Sequence, residues 1–214
     1  MVNIKQGESD YWAWKWDSSG HYTVRSAYHH LVPLQQTQLK GIFNLVWNRS
    51  VPLKVAALAW RALHDRLPTK CNLARRDIIK DRRETICSRC LENEETLCHL
   101  FFDCMQSWKV WASCYYWWGI SSVSMQNINE HFKQYVGLIG NIKFTAVWMV
   151  IWYAVKWSIW LQRNKVTFND GQVNEEELVE MVKYRSFYWV RANLVPDLSI
   201  ETWKADSRAT LKRY

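Results

Sequence analysis

Residues 87–104 read CSRCLENEETLCHLFFDC, and the rest of the chain is best understood outward from them. Cys87-Ser88-Arg89-Cys90 is a C-x2-C pair; His99 follows after eight intervening residues and Cys104 after four more. Structural zinc takes four nitrogen or sulfur ligands in a tetrahedron, and a two-residue gap lets both thiolates of a tight turn face one ion. The spacing therefore predicts a zinc ion held by Cys87, Cys90, His99 and Cys104. Four protein ligands leave no open position, so the ion is expected to clamp the fold and not to catalyse. Cys98 adjoins His99 and competes with it as third ligand; His99 is preferred for its spacing to Cys104. Cys71 and Cys114 lack such spacing and read as core thiols. Glu92, Asn93, Glu94 and Glu95 read as a polar, solvent-facing loop, with Leu100, Phe101 and Phe102 packing beneath the site.

Upstream, the pattern is helical. Pro52 suits the first turn of a helix with body Leu53 to His64. Leu67-Pro68-Thr69 breaks it, and Thr69 can cap a second helix to about Lys80, giving an αα-hairpin. Residues 34–41 (LQQTQLKG) read as a linker. At the start, Trp12, Trp14 and Trp16 alternate, Ser19-Gly20 signals a turn, and His21 to Val24 could pair back. That predicts a β-hairpin, followed by a short helix Ala27 to Leu31 with Ser26 as its cap.

Downstream, Trp108, Trp111, Tyr115 and Trp118 mark one helical face, ended by Gly119. Ile128, Phe132, Tyr135 and Ile139 mark another. A long helix is expected from about Phe144 to Phe168, closed by Asn169-Asp170-Gly171. Asn174 caps a last helix whose first turn holds Glu175, Glu176 and Glu177, where the helix dipole favours them. The expected class is mainly α, with a small N-terminal β-hairpin and a zinc-stabilised loop. The expected division is 1–33, 42–119 and 120–214.

Composition bounds the rest. With 15 Trp in 214 residues and nearly half the chain apolar, this is no disordered tail. Residues 144–161 (FTAVWMVIWYAVKWSIWL) would attract a transmembrane assignment, but Lys156 lies well inside them and a mid-span lysine is costly. A buried helix is expected instead. Met1 to Lys15 carry no secretory pattern, so an intracellular setting is expected. Thiols stay reduced there, and six cysteines then point to metal, not to disulfides.

Several ordered motifs together resemble one family: the zinc-binding domain that follows reverse transcriptase in plant non-LTR retroelements. Trp14 to Tyr28 (WKWDSSGHYTVRSAY) is similar to its entry segment. Trp47, Val51-Pro52-Leu53-Lys54 and Trp60-Arg61 are similar to its next stretch, and Leu67-Pro68-Thr69, Asn72-Leu73 and Arg75-Arg76 to the one after. Cys87, Cys90, Glu95-Thr96, His99-Leu100-Phe101 and Cys104 resemble its metal motif. Ile159-Trp160, Arg163-Asn164 and Phe168 resemble a segment that often follows. The resemblance implies a zinc site with nucleic-acid contact.

No paired aspartates of the two-metal polymerase kind are found, nor a spread of acids suited to ribonuclease H, so no catalytic residue is named and no enzyme is expected. The chain then reads as a detached or domesticated retroelement module, or as a remnant. From Lys54 to Arg83 there are nine basic residues against three acids, which accounts for most of the net charge of +8. Lys70, Arg75, Arg76, Lys80, Arg82, Arg83 and Arg89 are therefore the expected contacts to RNA or DNA phosphates. The competing expectation is a protein-interaction or self-association module using Trp148, Trp152, Trp157 and Trp160.

Overall fold

The computed structural model describes residues 12–31, 46–121, 128–133, 142–207 and 211. The chain divides into two compact units, Met1–Gly41 and Ile42–Tyr214. In the first, the expected β-hairpin does not form, and no β-strand occurs among the described residues. The turn itself is present. The Trp14 amide donates to the Gly20 carbonyl at 2.7 Å and the Gly20 amide to Asp17 at 3.0 Å, with Gly20 at φ +69°. Pairing stops there because the returning residues enter a helix. The Ser26 amide donates to Thr23 Oγ1 at 3.0 Å, while the Thr23 amide donates to Ser26 Oγ at 3.3 Å. This reciprocal cap satisfies two amides at once and starts α1 (Val24–Leu31) three residues before the expected Ala27. An isolated two-stranded hairpin is marginal at best, so a capped helix wins. The polar linker expected at 34–41 lies outside the described residues.

In the second unit, α2 (Leu53–Leu63) buries Val55, Ala56, Leu58, Ala59, Ala62 and Leu63. Thr69 caps α3 (Lys70–Ala74), accepting from the Asn72 amide. The buried Asn72 amide group donates to the Asp65 and Leu67 carbonyls, both at 3.0 Å, and so fixes the connection between the two helices. The second helix ends well short of Lys80. The Asp77 amide donates to Ala74 and the Ile78 amide to Leu73, with Asp77 at φ +57°. This is a Schellman stop built on aspartate where glycine is usual, and aspartate is among the few residues that tolerate that backbone.

A 3₁₀ turn (Arg82–Thr85), capped by Asp81, leads to the metal loop, and a single antiparallel bridge joins Ile86 to Glu94. After the loop come α4 (Met105–Trp118), α5 (Ile128–Lys133), α6 (Ile142–Phe168), α7 (Glu175–Asn193) and α8 (Ile200–Ala205). Gly119 ends α4 at φ +67°, and Asn174 caps α7 by accepting from the Glu177 amide, both as expected. Tyr135 and Ile139, expected on the fifth helix, lie outside the described residues.

The core of this unit is built around α6, which packs along α7 and against α2 and α4. It is long and apolar enough to cross a membrane, yet 72% of its most apolar stretch is buried inside the protein. Trp148, Trp152 and Trp160 are buried and Trp157 is half-buried, so these rings form core and do not present an interaction surface. Tryptophan needs a partner for its N–H when buried. Trp111 donates to the Phe101 carbonyl at 2.7 Å, Trp152 to His131 Nδ1 at 2.8 Å and Trp203 to the Lys183 carbonyl at 3.0 Å.

Candidate metal centre

The four expected ligands converge. The donor atoms of Cys87, Cys90, His99 and Cys104 all lie within 4.8 Å of one another. Tetrahedral ligands about 2.3 Å from zinc sit roughly 3.7 Å apart, so the group needs little adjustment to close on an ion. Local backbone explains the convergence. The Leu91 amide donates to the Cys87 carbonyl at 2.9 Å, and Leu91 takes φ +61°, which folds the C-x2-C pair into a tight turn. The second pair sits on a π-helical turn, His99–Asp103, in which the Cys104 amide donates to the His99 carbonyl. In an α-helix, residues five apart would point about 140° away from each other. The wider turn brings His99 and Cys104 to one side. Thr96 braces its start by accepting from the His99 amide at 3.0 Å.

Cys90 Sγ lies 3.2 Å from His99 Nε2. The donors are close enough to share protons. Hydrogen bonds from Cys104 and His99 pull the Cys87 thiol down to about 3, and the same bond pushes Cys104 up. The Cys87 thiolate beside His99 raises the imidazole above its ordinary value. A thiolate is thus already favoured at Cys87, and a bound cation would displace the thiol protons of the other two cysteines. This donor set of three soft sulfurs and one imidazole suits zinc.

Cys98 is not in the group. It is half-buried and borders a separate cavity of about 280 Å³ with Cys71, Ile128 and Asn129. Leu100, Phe101 and Phe102 are buried under the site as expected.

The loop is not uniformly solvent-facing. Glu92, Asn93 and Glu94 are exposed, but Glu95 is fully buried. Its carboxylate accepts from the Arg163 guanidinium at 2.6 Å and from the Lys70 amide at 3.0 Å. Arg163, 1% exposed, also donates to the Pro68 carbonyl at 3.3 Å. One ion pair therefore joins three stretches first seen as separate motifs: Leu67-Pro68-Thr69, Glu95-Thr96 and Arg163-Asn164. Ser88 and Thr167 hydroxyls meet at 3.0 Å, a second tie to α6. Sequence reasoning gave Glu95 to solvent and left Arg163 without a role. Their shared signal was a charged residue that itself belongs to a family-like motif, Glu95-Thr96 in one case and Arg163-Asn164 in the other.

The basic residues separate into two groups. Arg75, Arg76, Lys80, Arg82 and Arg83 are exposed. Lys70 is half-buried, with Nζ donating to the Ile86 carbonyl at 2.6 Å. Arg89 is 4% exposed, so it cannot reach a phosphate outside the fold. Its guanidinium is directed inward to Gln162 and Ser107.

The comparison with known families agrees with this geometry. Residues 22–111 match the family described as zinc-binding in reverse transcriptase. That span holds all four ligands and the basic segment, whereas Arg163 and all of α6–α8 lie beyond it. A protein of Arabidopsis thaliana provisionally named a ribonuclease H protein is 25% identical over 114 residues. The alignment covers 52% of this chain and 18% of that relative, so the chain spans only a small part of its relative's length. No solved structure matches. The family match and the plant relative fit the expected origin in a retroelement.

Proposed function

We propose that the chain is a structural zinc-binding module that contacts RNA or DNA through the basic segment Arg75–Arg83 and carries out no chemistry of its own. The observation that supports nucleic-acid contact is the exposure of Arg75, Arg76, Arg82, Arg83 and Lys80 within nine residues, directly before the metal loop. Arg75, Lys80 and Arg82 line one open groove of about 700 Å³, alongside Asp77 and Glu94. Arg75 is paired with Asp65 at 3.2 Å and Arg83 with Asp81 at 2.7 Å. Such solvent-exposed pairs contribute little, so a phosphate can replace the carboxylate. The segment is held at both ends, by the Thr69 cap before it and by the bridge of Ile86 to Glu94 after it. Phosphate contacts of this kind position a nucleic acid without reading its sequence.

Two measurements test the reading. Metal analysis of purified protein should find one zinc per chain, lost in the Cys87→Ser, Cys104→Ser double variant. Fluorescence anisotropy with single-stranded RNA and with duplex DNA, from 50 to 200 mM salt, should show binding that weakens with salt. Replacing Arg76, Lys80 and Arg82 by Gln together should weaken binding and lower the logarithmic salt slope by about 2–3. Equal affinity and slope in the triple variant would remove the proposed interface.

A further inference from the structure

Arg89 sits in the middle of the C-x2-C turn, yet it faces the interior. A cation buried to this degree is costly unless an opposite charge compensates it. Its hydrogen-bond partners are all neutral. Nε and one terminal nitrogen donate to Gln162 Oε1 at 3.2 and 2.9 Å, and the other terminal nitrogen donates to Ser107 Oγ. Ser107 in turn donates to the Leu100 carbonyl at 2.6 Å, which leaves its lone pairs for Arg89. Among the described residues no carboxylate forms an ion pair with Arg89, whereas the other deeply buried arginine, Arg163, has Glu95. The acid whose field reaches it is Glu175, which is engaged by Lys109 at 3.2 Å. Arg89 lies between the ligands Cys87 and Cys90 in the chain, and the amide of its partner Ser107 donates to the carbonyl of the ligand Cys104 at 2.9 Å, so the guanidinium is tied to both halves of the metal centre.

We propose that Arg89 is the buried counter-charge of the metal centre, matched to a site of three thiolates, one neutral imidazole and one divalent cation. This rests on the zinc reading above. The charges sum simply: the divalent ion, three thiolates and neutral His99 carry −1 together, and Arg89 brings the buried cluster to zero. A fourth thiolate, as from Cys98, would leave −1 uncompensated, and a monovalent ion would do the same. A site with one thiolate fewer would leave the guanidinium itself uncompensated. Arg89 thus selects both the ligand set and the charge of the ion. Its hold on Gln162 sets the guanidinium in place from α6.

The test is a charge-compensation cycle, read as the zinc dissociation constant by competition with a chelator at fixed pH. Arg89→Gln should weaken zinc binding by about 10–100-fold, the usual range for residues that support a metal ligand. Arg89→Lys, which keeps the charge but loses the planar fork, should stay within a few-fold of wild type. Cys90→His turns the site into two thiolates and two imidazoles, of zero charge. In that background Arg89→Gln should leave zinc affinity unchanged or improve it. The proposal is overturned if Arg89→Gln costs the same in both backgrounds, or if Arg89→Lys loses as much as Arg89→Gln. Either result would make Arg89 a hydrogen-bonding brace to α6 only. If Arg89→Gln does not fold, Arg89→Lys decides: near-normal zinc affinity supports the counter-charge and a large loss overturns it. A wild-type chain that binds no zinc would instead remove the underlying metal reading, a distinct outcome.

Discussion

The two halves of α6 solve the same problem in opposite ways. Near its C-terminal end, Gln162 and Arg163 are buried, and each side chain bonds a charged residue of the metal loop, Arg89 and Glu95 respectively. Near its middle, Lys156 is 2% exposed, and its ammonium nitrogen has no hydrogen-bond partner among the described residues. It is enclosed by aromatic rings: Phe102 at 3.5 Å, Phe101 at 4.3 Å, Trp152 at 5.2 Å and Trp111 at 5.6 Å from the ring centroids. One half is specified by directional bonds and the other by packing. The contrast implies that a polar deletion near the C-terminal end is costly, while removing the charge at the middle is favourable.

The largest expected effect breaks the first half. Glu95→Ala leaves the Arg163 guanidinium buried without its carboxylate and takes the acceptor from the Lys70 amide. Breaking one partner of a buried pair costs about 3–5 kcal/mol, so the urea midpoint of the zinc-loaded protein should fall by a corresponding amount. Replacing both partners, Glu95→Leu with Arg163→Met, should recover most of that loss, because no orphaned charge remains. A single variant as stable as wild type would show that the ion pair does not hold the metal loop to α6.

The same contrast explains what the sequence could reveal. A cysteine–histidine cluster is set by residue type and spacing, and a cap by a single residue at a helix end, so the grouping of Cys87, Cys90, His99 and Cys104 was readable, as were Thr69, Asn174 and Gly119. The hairpin was misread because Trp12, Trp14 and Trp16 alternate as a strand does, while the Thr23–Ser26 cap uses serine where glutamate or glutamine is the usual signal. The end of α3 was missed because Asp77 holds a backbone conformation normally marked by glycine. Glu95 and Arg89 were both assigned to solvent because charge is mostly exposed. Their burial depends on residues of α6 that lie 68 and 73 positions away in the chain, and no local pattern announces such pairings.

The second effect tests the middle of α6. Burial drives the Lys156 amine well below its ordinary value, toward the neutral form. Cation–π attraction, about 2 kcal/mol when desolvated, does not match the cost of burying an unpaired ammonium. Lys156→Met keeps the stem and removes the polar tip, so it should stabilise the fold by about 1–3 kcal/mol. The sign with pH follows from the depressed value. Below the unfolded value the denatured chain binds a proton that the native chain refuses, so wild-type stability rises with pH across this interval. The gain from Lys156→Met should therefore be small near pH 10 and grow as pH is lowered from there. A destabilised variant would mean that the aromatic enclosure holds a charged lysine.

The smallest effect concerns His131, which lies between the two solutions, with aromatic packing around a bonded polar ring. Trp152 can only donate, so the bond it makes to Nδ1 at 2.8 Å requires that nitrogen to be an acceptor. The neutral ring then carries its proton on Nε2, 2.7 Å from the Tyr115 hydroxyl. Burial, with a further push from Lys156, lowers His131 to about 2. From roughly pH 6.5 downward the unfolded chain takes up a proton at this residue and the native chain does not. Stability is therefore lost as pH falls, with a slope approaching 1.4 kcal/mol per pH unit from this one group. His131→Phe should be less stable than wild type at pH 8, having lost both ring hydrogen bonds. Its stability should fall less steeply between pH 6 and pH 4, so the two curves converge. Proton uptake at the metal ligands is common to both proteins and drops out of the difference. Parallel curves would show that the native protein admits a proton at His131, and with it that the core around α6 is more open to water than its burial implies.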